Sequence, residues 1–416
     1  MEQFDVVVIG GGPAGAAAAT MLANSKSKVL VVDKATFPRD KCCGDGLTTG
    51  ALRRLQRLGL DPATIPSWTW VDNVVLSSPR ARTTTFPLPQ HAGRFAAVAM
   101  RVELDDALLN VAKCAGADVR EGHTLTAITT SAHSVTCELK TADGSTTTVR
   151  ANHVVAADGM WSTTRKLLTG EEGRERPYLG DWHGYRQYAR NVHTEASRDL
   201  WVWFEPDLLP GYFWCFPLAN GRVNLGFGIE RTAKRPTKEM KTLWPLLLAR
   251  PHIRAVVGDH VELEDAPKAW PIPASVTEAK LAIGRVLFAG DAARACDVLT
   301  GEGIGQALQT GIAAAETILE VISDPSAESD GAGVRYGDRV LSELGPDHRM
   351  ASALQRLMSR RPVAETAIRI SAATPWTRRN FARWLFEDYP RGIALTPTRW
   401  RWGLLSGDGT YTQHVE

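Results

Sequence analysis

The stretch "FDVVVIGGGPAGAAAATMLANSKSKVLVVD", residues 4–33, decides the fold. "FDVVVI" is a continuous apolar, β-branched run, as expected of a parallel strand buried on both faces. Gly10-Gly11-Gly12-Pro13-Ala14-Gly15 follows, then an alanine-rich helix, then a second strand, "KVLVVD", that ends on Asp33. Together they form a βαβ unit carrying G-x-G-x-x-G in the context that gives this motif meaning. Gly10 permits the tight turn, Gly12 lets the backbone approach a pyrophosphate, and Gly15 allows close helix–strand packing. Free N–H groups at the helix start, around Pro13 and Ala14, face the anion. Asp33, followed by Lys34, is placed to accept hydrogen bonds from a ribose hydroxyl. An adenine dinucleotide is the expected ligand.

Composition sets the frame around this unit. The chain has 416 residues, 44% hydrophobic and 23% charged, enough for two or three subdomains around a sizeable core. A net charge of +2 gives no reason to expect nucleic-acid binding. The six cysteines, at 42, 43, 114, 137, 215 and 296, include no C-x-x-C pair or short His/Cys cluster, so no metal site is expected. Sparse cysteines fit a reducing, cytoplasmic compartment. No apolar run reaches the roughly 18 residues of a membrane span, and the N-terminus enters a strand at once, unlike a signal peptide.

Two later motifs specify the dinucleotide. "HVVAADGMWSTTR", 153–165, is an apolar strand ending in Asp158-Gly159; "GRVLFAGDAARACDVLTGEGIGQALQTG", 284–311, is a strand ending in Gly290-Asp291 before a glycine-punctuated helix start. With the first motif, these resemble the FAD-dependent oxidoreductases of the p-hydroxybenzoate hydroxylase-like superfamily, and the resemblance implies FAD. It also implies that Asp291 bonds the ribityl chain and that Gly301, Gly303 and Ile304 direct N–H groups at the flavin pyrimidine edge. Arg101, in "MRVELDDALL", matches an arginine that often contacts the cofactor. Asp158 is read either as a cofactor contact or as part of a structural turn. No second G-x-G-x-x-G with a flanking βαβ pattern follows. The electron donor is therefore left open between NAD(P)H and a reduced ferredoxin-type protein.

"FPRDKCCGDGLTTGALRRL", 37–55, resembles the segment that follows the second strand in the geranylgeranyl reductase family. Cys43, Gly44, Gly46 and Leu47 match it, while Cys42 stands where a proline is usual. "LPGYFWCFPLANGRVNLGFG", 209–228, resembles that family's P-x-Y-x-W-x-F-P motif. Alternation puts Tyr212, Trp214 and Phe216 on one sheet face, as an aromatic wall or as core. The resemblance implies reduction of carbon–carbon double bonds in a polyprenyl chain, geranylgeranyl or the isoprenoid tail of a quinone, by hydride from reduced flavin. The proton for the second carbon would come from Cys43, Tyr212 or a held water. Trp214 shares the catalytic wall, and Cys43 and Gly44 also approach the flavin. A Cys43–Cys296 redox pair is an option that a reducing compartment disfavours. A monooxygenase acting on a small hydrophobic substrate is the alternative; a flavin halogenase or a non-catalytic lipid-binding flavoprotein ranks lower.

The expected class is α/β, α+β overall, with a Rossmann-like FAD-binding domain, an antiparallel-sheet substrate domain and a helical C-terminal segment. Residues 1–70, 95–168 and 275–322 form the first, 71–94 and 169–274 the second, and 323–416 the third. Residues 323–333 are read as a polar loop or linker. Beyond them, the segment from Arg360 to Leu405 is rich in Arg and Trp. It is read either as a helical cap or as a peripheral contact with a membrane that holds the prenyl-lipid substrate.

Overall fold

The computed structural model describes the chain except for residues 91, 171–177, 232–236, 325–330, 401–404 and 413–416, and the side chains of 237, 394 and 395. Most of the polar stretch read as a linker, and Trp402 of the Arg- and Trp-rich segment, lie outside the described residues.

The N-terminal βαβ unit forms as its sequence dictates. β1 (Glu2–Ile9) pairs in parallel with β2 (Val29–Asp33), and α1 (Pro13–Asn24) connects them. Val6, Val7 and Val8 have no exposed surface, because both faces of the sheet are covered. β3 (Asp118–Glu121) extends the parallel sheet beyond β2. β4 (His123–Thr130), β5 (Val135–Thr141) and β6 (Thr146–Ala156) form an antiparallel meander, with the expected hairpin between β5 and β6 around Asp143-Gly144. The far end of β6 runs parallel to β1 on one side and to strand Val286–Phe288 on the other.

The second sheet has seven strands. In spatial order it runs from β11 (Glu262–Ile272) through β7 (Trp182–Arg190), β10 (Val223–Glu230), β9 (Phe213–Pro217) and β8 (Leu200–Trp203) to strands Asn73–Ser77 and Thr83–Pro87. All its neighbours are antiparallel except β8 and Asn73–Ser77. Phe213 and Cys215 of β9 enter a core with Trp244 and Phe227, while Tyr212, Trp214 and Phe216 point to the opposite face. The period of two thus gives one strand two apolar faces with different purposes.

Five further helices matter to the site. α2 (Arg101–Cys114) and α3 (Ile304–Ser323) both pack on α1. A Cβ on Gly311 would lie 2.1 Å from the Ala14 carbonyl oxygen, so this glycine lets the two backbones touch. α4 (Gly331–Met358) packs along α3, and α5 (Arg361–Ser371) and α6 (Pro375–Leu385) then fold back over the second sheet.

Candidate active site

One cavity of about 860 Å³ runs from the G-x-G-x-x-G loop to the aromatic face of the second sheet. Its first end is built from backbone. Gly10 adopts φ +107°, and a Cβ there would meet the Ala157 carbonyl oxygen at 2.3 Å. A Cβ on Gly15 would fall 1.8 Å from the Gly10 oxygen, so Gly15 fixes helix to strand and does not line the cavity. Gly12, Pro13, Ala14, Asp33 and Lys34 do line it. No side chain caps α1, whose N-cap is Gly12 with Pro13 at the first position, and its N-terminal N–H groups remain available to an anion. Asp33 accepts from Gly11 N–H at 2.7 Å and Ala35 N–H at 2.8 Å, which holds the loop against the end of β2.

The middle of the cavity gathers the charged groups. Arg101 is buried at the start of α2, locked to Asp105 by two hydrogen bonds of 2.6 and 2.7 Å. Burial opposes its charge, but Asp105 outweighs this and holds the guanidinium protonated, beside the Cys43 thiol. Asp291 is ion-paired to Lys41 at 2.7 Å; burial works against its carboxylate, yet Lys41 holds it below the usual range. α3 starts at Ile304 from Gly303, which brings no capping side chain, and Gly301 and Gly303 line the approach. Glu302 accepts from the Gly305 N–H at 2.9 Å. Burial and the nearby Glu387 push its carboxyl well upward. Asp158 accepts from both the backbone N–H and the hydroxyl of Thr164, so the D-G turn is held by its own following helix while still lining the cavity.

At the far end the cysteine loop meets the aromatic strand. A Cβ on Gly44 would lie 3.3 Å from the Phe216 ring and 3.7 Å from Trp214. The Tyr212, Trp214 and Phe216 rings follow one another at 6.0 Å between centroids. Trp214 Nε1 donates to Asn224 Oδ1 at 3.0 Å, and Asn224 Nδ2 donates to the Cys43 carbonyl at 2.9 Å and to Asp45 Oδ2 at 2.8 Å. The Tyr212 hydroxyl donates to the Thr300 carbonyl, and burial raises its pKa. Cys43 is half-buried, and desolvation raises its thiol against the pull of Arg101. Cys42 also lines the cavity, but its thiol contacts the Lys268 carbonyl at 3.3 Å, and burial lifts it to about 12. Cys43 and Cys296 are both free thiols, and Cys296 instead approaches Asp291 at 3.4 Å.

Three groups of residues escaped the sequence reading. Asp45 is wholly buried in the left-handed region at φ +65°, bonded by the Tyr188 hydroxyl at 2.7 Å, with Oδ1 unpartnered. Desolvation raises it to about 6 despite Arg186, Tyr188 and Asn224. The C-terminal helices also close the cavity, through Leu354, Met358, Ile368, Phe381 and Trp384. Finally, Arg391 reaches Asp297 at 2.9 Å, and Asp297 in turn accepts from Thr300 N–H at 2.8 Å, so the C-terminal turn clamps the loop before α3. Each lacks a local signal, because its meaning depends on a partner far away in the chain.

The glycine-lined, uncapped start of α1 joined to the glycine-lined start of α3, with an acid at the end of β2, fits a bound FAD. The family model described as FAD binding domain matches residues 3–330. The chain belongs to that FAD-binding family. A menaquinone reductase of Mycobacterium tuberculosis is 35% identical over 331 residues, 76% of this chain and 77% of that protein. Digeranylgeranylglycerophospholipid reductase 2 of Methanopyrus kandleri is 29% identical over 360 residues, 86% and 87% of the two chains. In fold, the FAD-binding chain is similar to a geranylgeranyl bacteriochlorophyll reductase-like protein of Thermoplasma acidophilum. That match has a TM-score of 0.79 at 22% identity and covers 96% of this chain and 100% of the other. The resemblance to geranylgeranyl reductases read from the cysteine and aromatic motifs is borne out, and this family member is an FAD-dependent oxidoreductase.

Proposed function

We propose that this enzyme reduces carbon–carbon double bonds in the polyprenyl chain of a lipid, a geranylgeranyl group or an isoprenoid quinone tail. The observation that carries the reading is the shape of the cavity. A glycine-lined end suited to a dinucleotide opens directly into an apolar, aromatic end of prenyl character, with Cys43 where the two meet. Two relatives named for reducing a menaquinone and a digeranylgeranylglycerophospholipid support it.

Gly12, Ala14 and Asp33 would hold the adenosine and pyrophosphate of FAD, and Asp291 with the start of α3 its ribityl and ring portions. Bound and reduced, FAD supplies a hydride to one alkene carbon. Cys43 Sγ holds the proton for the other carbon: desolvation keeps it a thiol, and Arg101 stands ready to stabilise the thiolate left behind. Tyr212, its hydroxyl committed to Thr300, anchors the aromatic wall. Trp214, Phe216, Phe381 and Trp384 exclude water and align an isolated alkene that would otherwise be a poor acceptor.

The test uses the FAD-loaded enzyme, detergent-dispersed prenyl quinones and phospholipids, and dithionite, NAD(P)H or reduced ferredoxin as electron donor. A product heavier by two hydrogens is expected, and Cys43→Ser should lower turnover roughly 10²–10⁴-fold with FAD content unchanged. An oxygenated product, or no change in any prenyl chain, overturns the proposal. We also infer that the protein meets its lipid at a membrane surface, because the Arg- and Trp-rich C-terminal segment leaves Trp376 and Trp400 exposed.

A further inference from the structure

α5 presents different chemistry on its two faces. Ala364 and Ile368 are buried, and Ala367 and Ile368 line the proposed prenyl cavity. Arg361, Glu365 and Arg369 recur every four residues on the other face. With Arg80 and Arg82, from the turn that joins strands Asn73–Ser77 and Thr83–Pro87, they line a second pocket of about 380 Å³. Arg361 donates to the Pro79 carbonyl at 3.3 Å, but among the described residues none of these four arginines pairs with a carboxylate. The imbalance reaches further along the chain. From Arg349 to Phe386 there are eight arginines and one acid, in a protein whose net charge is only +2.

Four guanidinium groups around a single carboxylate, Glu365, leave an excess of positive charge, and each offers a planar fork that fits phosphate oxygens. That excess suits a phosphate. Its arginines are solvent-exposed, as suits a shallow, extended layer of phosphates better than one enclosed ion. Large apolar side chains stand exposed beside them in the chain: Leu357 at 49%, Ile370 at 62% and Trp376 at 58%. Arginine with tryptophan and aliphatic side chains matches the headgroup level of a bilayer, where phosphate overlies hydrocarbon.

We propose that this face of α5, with Arg80 and Arg82, docks on the phosphate groups of an anionic phospholipid bilayer. Docking sets the helical wall of the prenyl cavity against the membrane that stores the substrate. The inference rests on the prenyl-lipid reading of that cavity and goes beyond it by assigning the surface at which the lipid arrives.

The test floats the FAD-loaded enzyme with phosphatidylcholine vesicles, with and without phosphatidylglycerol, and compares Arg361→Gln/Arg369→Gln. Each basic residue near an anionic surface strengthens partitioning about fivefold, so the double variant should bind phosphatidylglycerol vesicles about 25-fold more weakly. Unchanged FAD content and melting temperature would show that the variant is folded. Equal binding of the wild type to both vesicles overturns the proposal, as does a double variant that binds like the wild type. Displacement by millimolar pyrophosphate, but not by chloride of the same ionic strength, would assign the pocket to a small free phosphate instead and also overturns it. Turnover of detergent-dispersed lipid is measured in parallel. Its absence in the wild type would sink the reductase reading, while flotation still decides the docking surface.

Discussion

The two ends of the cavity are built by opposite means. At the glycine end the lining is backbone: Gly10 and Gly12 leave room without side chains, and the uncapped start of α1 presents N–H groups from the same short stretch of chain. At the aromatic end it is made by side chains from β9, the cysteine loop and three helices more than a hundred residues further on. Binding a polar, charged group demands directed donors at fixed spacing, which one local turn can supply. Enclosing an apolar chain demands only area and shape, which any set of convergent side chains can supply.

The contrast makes the glycine end brittle and the aromatic end forgiving. The largest effect is therefore expected from Gly15→Ala, whose new Cβ would sit 1.8 Å from the Gly10 oxygen with backbone on both sides. FAD should be lost on purification and stability reduced by roughly 4 kcal/mol or more, read from flavin absorbance and thermal unfolding. Normal flavin content in this variant would break the comparison.

Arg391→Gln tests the join between the two ends. Arg391 is buried against Asp297 and Glu387, so its removal strands two carboxylates and should cost about 3–5 kcal/mol in denaturant unfolding. Faster loss of FAD is expected as well, because Asp297 organises the loop before α3.

Asp45→Asn probes the junction through pH. The folded protein binds the Asp45 proton more tightly than the unfolded chain, with a pKa raised from 3.8 to about 6. Its protonated form therefore stabilises the fold fully below the unfolded value, and this advantage fades as pH rises through the folded one. Relative to wild type, Asp45→Asn should gain up to about 3 kcal/mol between pH 4 and pH 7. A difference that stays flat across that range would show that Asp45 does not titrate in the fold.

The smallest effect belongs to Tyr212→Phe. Losing the hydroxyl's bond to Thr300 should cost about 1 kcal/mol and leave turnover within about tenfold of wild type. A fall of a hundredfold or more would instead make Tyr212 the proton source.

These residues also mark how far the sequence could be read. The βαβ unit, the β5–β6 hairpin, the late strand leading to Asp291 and the shared face of Tyr212, Trp214 and Phe216 were all legible, since each is encoded in adjacent or alternating positions. Arg101 matched a motif, but only its bonds to Asp105, which outweigh the cost of burial, explain why it stays charged there. Asp45, between Gly44 and Gly46, carries no local signal of its state. Its raised pKa comes from the loss of water around it, against the hydrogen bonds from Tyr188 and Asn224, far away in sequence. Arg391 gave no sign of its role, because an arginine in a polar tail reads as solvated until Asp297 is placed beside it.

The sequence by itself determined the βαβ cradle and the FAD-dependent class, because backbone recognition of a dinucleotide needs fixed residues at fixed spacing. Tertiary structure alone decided how the cavity is closed, what each of two adjacent cysteines meets there, and where exposed arginines gather. Those properties arise from desolvation and long-range side-chain contact, and neither leaves a period or a motif in the chain.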